Sequence, residues 1–251
     1  MKLTKEEWKK VCDRVVLDCR PTQNPIAMKF IRTEDEFDSF KDIQYCKGKA
    51  SVCKLMGMAS HFPGTFGLTR DHFSGTYCAT NNGCYPITEE WLTGEHIAKY
   101  PLCWHHNVAD SKKHTDENLK VLPKEPYIGV VCSNLATCDI EEPDVIALRL
   151  PTQAAYHLLA GYVESDYEKL YFSFSGESNC IDTWMETLKN KKVGLSLGCR
   201  GDRGTGAMGY GDVQITMTGE QLIKALDGFE TIVENGIPYP YNPTCMYAKD
   251  F

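Results

Sequence analysis

Twelve cysteines stand in this chain of 251 residues, at positions 12, 19, 46, 53, 78, 84, 103, 132, 138, 180, 199 and 245. A thiolate is a nucleophile, a redox group and a soft metal ligand, so the spacing of the cysteines decides which chemistry is open to them. No C-x2-4-C knuckle occurs, and no C-x2-C-x2-C run. The tightest pairs, Cys78/Cys84 and Cys132/Cys138, have five residues between them. The local signatures of a zinc ribbon and of a bacterial ferredoxin are therefore missing. Any shared site must draw its sulfurs from distant parts of one folded domain. In a reducing compartment the cysteines are expected as thiols rather than disulfides. Some of them are expected as small apolar core residues. So many thiols suggest an anaerobic or strongly reducing cell.

Cys199 stands at the front of the stretch GCRGDRGTGAMGYG, residues 198–211, in which six of fourteen positions are glycine. Gly204, Gly206 and Gly209 spell G-x-G-x-x-G. A dinucleotide fingerprint needs a strand, a tight turn and then a helix whose N-terminus meets the pyrophosphate. Here the preceding strand ends near 198, and the following YGDVQITM alternates like another strand, so no helix dipole is expected at a phosphate. No Gly-Lys-Ser/Thr follows either. Context rejects the nucleotide reading, and Arg-Gly-Asp at 200–202 is an accidental tripeptide. Glycines do let a backbone approach a bulky group, and nests of N–H groups suit anions, including the sulfurs of iron–sulfur clusters. Arg200 and Arg203 could offset the charge of thiolates and sulfides. The plain alternative is a tight glycine-rich hairpin.

The elements that must position these residues are partly legible. Thr4 and Glu7 form a capping box, and Trp8, Val11, Cys12, Val15, Val16 and Cys19 make one helical stripe, which places Cys12 and Cys19 in the core. Residues 25–31 read as a strand, 34–38 as a solvated turn or short helix, and 46–60 as a helix. Residues 61–87 are rich in glycine and proline and read as loop. A helix is expected over 88–99 with Thr88 as N-cap, and a polar excursion or lid over 101–124. Strands are expected at 127–132, 144–150, 170–174, 193–197 and 212–217. Helices are expected from Pro151 to about 163, over 178–190 and over 218–235, the last with a Thr218/Gln221 capping box and Gly236 as its stop. The alternation argues for a mixed α/β fold, α+β in detail: a single domain with a mixed β-sheet flanked by helices and a loop-rich insertion at about 61–124.

The formal net charge of −7 and pI near 5.5, with no Lys/Arg cluster, argue against nucleic acid and anionic membranes as partners. The N-terminus lacks an uncharged h-region, and no stretch approaches 18 apolar residues. A cytoplasmic protein with no membrane span is expected. His105, His106 and His114 read as polar surface, with a substrate role for one of them left open. Lys29 on its strand either snorkels to solvent or reaches a site as a cation.

Several segments together carry a resemblance. They are Pro25-Ile-Ala-Met-Lys-Phe30, the helix at Cys46 with Ala59, Ser74-Gly-Thr-Tyr-Cys78, Asp144-Val-Ile-Ala-Leu148, Pro151-Thr-Gln-Ala154, Ser178-Asn-Cys180 and Ser196-Leu-Gly-Cys199-Arg-Gly-Asp-Arg203. With them the chain resembles domain-of-unknown-function family 169, the uncharacterised ArCR family of archaea and anaerobic bacteria. The resemblance covers most of the chain, and Gly198-Cys199-x-Gly201-x-Arg203 is its most specific piece. It implies a fold and a set of cysteines matching Cys46, Cys78, Cys180 and Cys199. It implies no reaction. The family commonly has a Gly-Gly run after the cysteine matching Cys78. Here Ala-Thr-Asn-Asn-Gly-Cys84 stands instead, so Cys84 competes with Cys78 as a ligand.

Those four cysteines would combine two helix starts, at Cys46 and Cys180, where the macrodipole favours thiolate, with two glycine-containing loops. Four thiolates suit a [4Fe–4S] cluster and also suit structural zinc. The expectation is an iron–sulfur protein of anaerobic metabolism with a redox or electron-transfer role and a redox partner. The alternatives are a non-redox enzyme, hydro-lyase or desulfidase-like, and a non-catalytic metal-binding module. In the enzyme, an open cluster iron would act as Lewis acid on a small anionic metabolite held by Arg200, Arg203 and Lys29. A homo-oligomer is compatible with all three.

Overall fold

The computed structural model describes residues 1–40, 42–99 and 107–236. Cys103, His105, His106 and Cys245 lie outside the described residues. Among the described residues, seven strands form one sheet: β1 (Ile26–Ile31), β2 (Gln44–Tyr45), β3 (Thr65–Thr69), β4 (Gly129–Asn134), β5 (Val145–Pro151), β6 (Gly194–Ser196) and β7 (Asp212–Met217). Their order is β2-β3-β4-β1-β5-β7-β6. The β2–β3 pair is parallel and the other pairs are antiparallel. The helices are α1 (Lys5–Cys19), α2 (Glu34–Asp38), α3 (Val52–His61), α4 (Thr76–Asn81), α5 (Glu89–Leu92), α6 (Glu95–Ala98), α7 (Val108–Asn118), α8 (Thr152–Glu164), α9 (Glu186–Asn190), α10 (Arg200–Thr205) and α11 (Gly219–Glu234). A π-helical turn, Ile181–Met185, runs directly into α9. The mixed α/β class expected from the alternation is the one observed.

Strand side chains alternate between faces, and each face of this sheet has its own core. Ala27, Ile31, Ile146, Leu148, Val213 and Ile215 pack with Trp8, Leu158 and Leu222 of α1, α8 and α11. Ile26, Met28, Phe30, Cys132, Val145 and Ala147 pack on the other side with Val52, Leu55 and Met56 of α3 and with Trp184. On the first face α8 and α11 approach backbone to backbone at Gly161 and Gly228. A Cβ on Gly228 would lie 2.0 Å from the Gly161 carbonyl oxygen. On the second face β5 and β7 present Arg149, Gln214 and Thr216, all buried. These polar positions in alternating strands face a covering of polar turns rather than solvent.

Several elements differ from their sequence signals. The helix expected over 46–60 begins at Val52, because Ser51 caps it by accepting from Lys54 N–H, and Cys46 lies outside it. The loop-rich stretch 61–87 contains β3 and α4. The single helix expected over 88–99 is two, α5 and α6, because Gly94 sits between them at φ +84°, a conformation glycine adopts freely. Residues 170–174 are not a strand, and Tyr171 and Phe174 are exposed. Both sheet edges are already held by the short strands β2 and β6. The expected loop after Cys199 opens with the six-residue α10. Its glycines disfavour helix, and the burial of Asp202 against Arg149 overrides that preference. Among the described residues no helix is long and apolar enough to cross a membrane.

Candidate functional site

Four thiols converge on the second face of the sheet: Cys53, Cys78, Cys180 and Cys199. Cys53 is the second residue of α3, two positions after its Ser51 cap. Cys78 is the third residue of α4. Cys180 stands immediately before the π-helical turn, and Cys199 is the N-cap of α10. Each sulfur thus leaves the chain where helical backbone is just beginning, with amide N–H groups lacking partners within their own helix.

The sulfurs act on one another. Cys53 Sγ–H donates to Cys199 Sγ, which brings the Cys199 thiol down to about 6 against the opposing effect of burial. The backbone N–H groups of Asn179 and Asp202 also donate to Cys199 Sγ and favour its thiolate. Cys53 is pushed well up, first by that same hydrogen bond, then by burial and by the negative charges of Asp202, Cys199 and Cys78. Burial pushes Cys78 up to about 11, opposed by hydrogen bonds from Val52 N–H and from Asn82 Nδ2, the latter 3.5 Å from Cys78 Sγ. The Val52 amide is the first of α3, so the N-terminus of that helix is turned onto Cys78 Sγ. Burial, followed by the charges of Cys78 and Cys199, raises Cys180.

Neighbouring side chains fix the turns. Trp184 Nε1 donates to Asn82 Oδ1 at 2.7 Å, and Asn82 Nδ2 donates to the Cys78 carbonyl at 2.8 Å. The Cys78 turn is thereby tied to the helix that follows Cys180. Ser51 Oγ lies 3.3 Å from Thr205 Oγ1, and a Cβ on Gly57 would lie 3.0 Å from the Gly206 carbonyl oxygen, so α3 and the end of α10 meet closely. Asn179 is buried beside the sulfurs, and its Oδ1 has no hydrogen-bond partner.

Of the expected quartet, Cys78, Cys180 and Cys199 are brought together and Cys46 is not. Cys46 lies between β2 and α3, buried, with its Sγ 3.3 Å from Met58 Sδ, and its charge acts on Cys132. It does not open α3; Cys53 occupies that place. The signal for Cys53 was present in the sequence: Ser51 is a good N-cap, and Val52, Leu55, Met56 and Ala59 form the buried stripe that follows it. Cys84 is fully buried and donates to the Asn82 carbonyl oxygen at 3.4 Å, although it lies close enough for the Cys78 charge to raise it.

The expected cations are dispersed. Lys29 shares the parity of Ala27 and Ile31, on the sheet face away from the thiols, and is held by Asp144 at 3.3 Å and Glu36 at 4.0 Å. Arg203 donates to the carbonyl oxygens of Leu197 and Gly209, closing its own loop. Arg200 is exposed beside Cys199. His114, expected on the surface, is half-buried: its Nε2 lies 3.0 Å from Asn118 Nδ2 and 3.8 Å from Glu177 Oε2. Tyr77 Oη, next to Cys78, lies 3.2 Å from Ser178 Oγ and donates to Glu177 Oε2 at 3.5 Å. Acid–base side chains therefore stand on the flank of the thiol group.

Among the described residues no three His, Cys, Asp or Glu side chains gather closely enough to hold a single metal ion. In a tetrahedral zinc–thiolate site, with Zn–S about 2.3 Å, the sulfurs lie about 3.8 Å apart. Here the four thiols act on one another's ionisation, Cys53 with Cys199 most strongly, without meeting that condition.

No curated protein and no solved structure matches the chain. The model of one family, described as uncharacterised ArCR, matches residues 17–228, which include all four thiols, the whole sheet and most of α11. The chain belongs to that family, domain-of-unknown-function family 169.

Proposed function

We propose that this chain is an iron–sulfur protein of anaerobic metabolism with a redox or electron-transfer role. Cys53, Cys78, Cys180 and Cys199 would hold a [4Fe–4S] cluster, with Cys53 in the place first expected for Cys46. The observation that supports this most is the meeting of four thiols from four separate helix starts. Four cysteine ligands are the set such a cluster takes. Bound, the cluster would supply one-electron transfer.

The chain's own contribution is to orient and tune. Val52, Asn179 and Asp202 N–H groups and Asn82 Nδ2 donate to sulfur. Hydrogen bonds to cluster sulfurs are one of the levers that set reduction potential. Cys53 is buried, and Cys78, Cys180 and Cys199 are half-buried. The non-redox reading called for three cations around an anionic substrate. Arg203 is committed to two carbonyls and Lys29 lies across the sheet, which leaves Arg200 alone, so the redox reading is the better supported.

The test is anaerobic purification with iron, acid-labile sulfide and visible absorbance measured together. Broad absorbance with iron and sulfide in equal amounts supports the proposal. Zinc without sulfide, or neither, overturns it.

A further inference from the structure

Arg149 stands in the apolar run of β5 yet is only 2% exposed, and it projects onto the thiol face. Its guanidinium is engaged on every nitrogen. Nε donates to Gln214 Oε1 at 3.4 Å, Nη1 to Gln23 Oε1 at 2.6 Å and to the Gly206 carbonyl, and Nη2 to Asp202 Oδ1 at 2.5 Å. Asp202 is completely buried, and its second oxygen accepts from Asn179 Nδ2 at 2.8 Å. The backbone N–H groups of Asn179 and Asp202 both donate to Cys199 Sγ. Asn179 adjoins Cys180. Gly206, whose carbonyl Arg149 holds, abuts Gly57 in the helix that carries Cys53.

A buried ion pair is a poor way to gain stability, because the desolvation cost of two charges can exceed their attraction. The arrangement makes sense as a device for geometry. The geometry points to Arg149, Asp202 and Asn179 as positioning residues that clamp the Cys180 turn to the Cys199 turn, so that the sulfurs are in place before any metal arrives. The clamp rests on the iron–sulfur reading only for the identity of the centre it serves; as a mechanical link it belongs to the metal-free chain.

Amide hydrogen exchange on the full-length metal-free protein tests the link. With Asp202→Ala, exchange in peptides covering 176–182 and 198–206 should rise together, by about tenfold or more, while peptides of β1 and β4 keep their protection. Loosening confined to 198–206 overturns the clamp. Asn179→Ala, which removes one hydrogen bond and no charge, is the milder variant should Asp202→Ala unfold, and it should show the same two-segment pattern.

Asp202→Asn preserves the shape and removes the charge. In the iron-loaded protein it should bind iron and sulfide as the parent does, with a more positive midpoint potential, because a negative charge beside the centre is gone. A purely structural Asp202 would leave the potential unchanged, and that result also overturns the proposal. If the parent protein takes up no iron and sulfide, the proposed function fails, and the exchange measurement alone decides the clamp.

Discussion

Cys53 and Cys199, far apart in sequence, share a hydrogen bond in which Cys53 Sγ–H is the donor and Cys199 Sγ the acceptor. One thiol of the pair is therefore held protonated and the other held as thiolate. Their contact joins α3 to the Cys199 turn at the centre of the thiol group.

The ligand set is the first consequence to test. Cys53→Ser should lose the visible absorbance of the anaerobically purified protein and its acid-labile sulfide. Cys46→Ser should keep both, at a stability cost of about 1 kcal/mol from placing a hydroxyl against Met58. Metal and sulfide analysis of the two variants side by side checks this, and the reverse pattern would restore Cys46 as the ligand.

The thiolate of Cys199 should be visible in the metal-free protein. Its folded value, about 6, lies below the ordinary thiol value of about 8.5. Cys199 is thus ionised at neutral pH, while Cys78, at about 11, is not. Alkylation by iodoacetamide at pH 7.5 should label Cys199 first, with a rate that falls as the pH drops through about 6. The sign for stability is the same: the contribution of Cys199 ionisation is fully present above the unfolded thiol value and is lost as pH falls toward 6. Peptide mapping of the first label is the check, and equal labelling of Cys78 and Cys199 would contradict the hydrogen bond.

Mild oxidation gives an independent readout of the same contact. Treated with diamide, the metal-free protein should form a Cys53–Cys199 disulfide before any other: the Cys199 thiolate and the Cys53 thiol give up two electrons and the Cys53 proton, and the reagent takes its second proton from water. Mass spectrometry of the non-reduced digest identifies the link. A first link between Cys78 and Cys84, one of the two nearest pairs in sequence, would count against the assembled site.

Asn82 connects the Cys78 turn to Trp184 through hydrogen bonds of 2.8 and 2.7 Å. Residues that orient ligands typically cost about 10- to 100-fold in metal affinity when removed. Asn82→Ala should fall in that range, measured by competition with a chelator for bound iron, with circular dichroism unchanged.

The α8–α11 contact predicts a stability effect remote from the site. Gly228→Ala would set a methyl group 2.0 Å from the Gly161 carbonyl oxygen. Overpacking costs about 1–3 kcal/mol where neighbours can shift, and backbone shifts poorly, so a loss of at least about 2 kcal/mol is expected in urea unfolding.

The class of fold and most of its frame were legible in the residue pattern. α1 and α11 announced themselves through capping boxes and apolar stripes, and both are where those signals put them. β7 could be read from its alternation, and Cys199 from its glycine-rich setting. These are local signals, set by neighbours within a turn or two. That Cys53 rather than Cys46 joins Cys78, Cys180 and Cys199 emerges from the folded chain alone. A helix start shifted by a few residues changes which sulfur leads it, and periodicity alone does not fix a start. Tertiary packing also decided that residues 170–174 stay unpaired, that glycine-rich 200–205 becomes helix, and that Arg149 and Asp202 are enclosed together. Each of these depends on partners distant along the chain, and burial against such partners outweighs the small local preferences that a sequence displays.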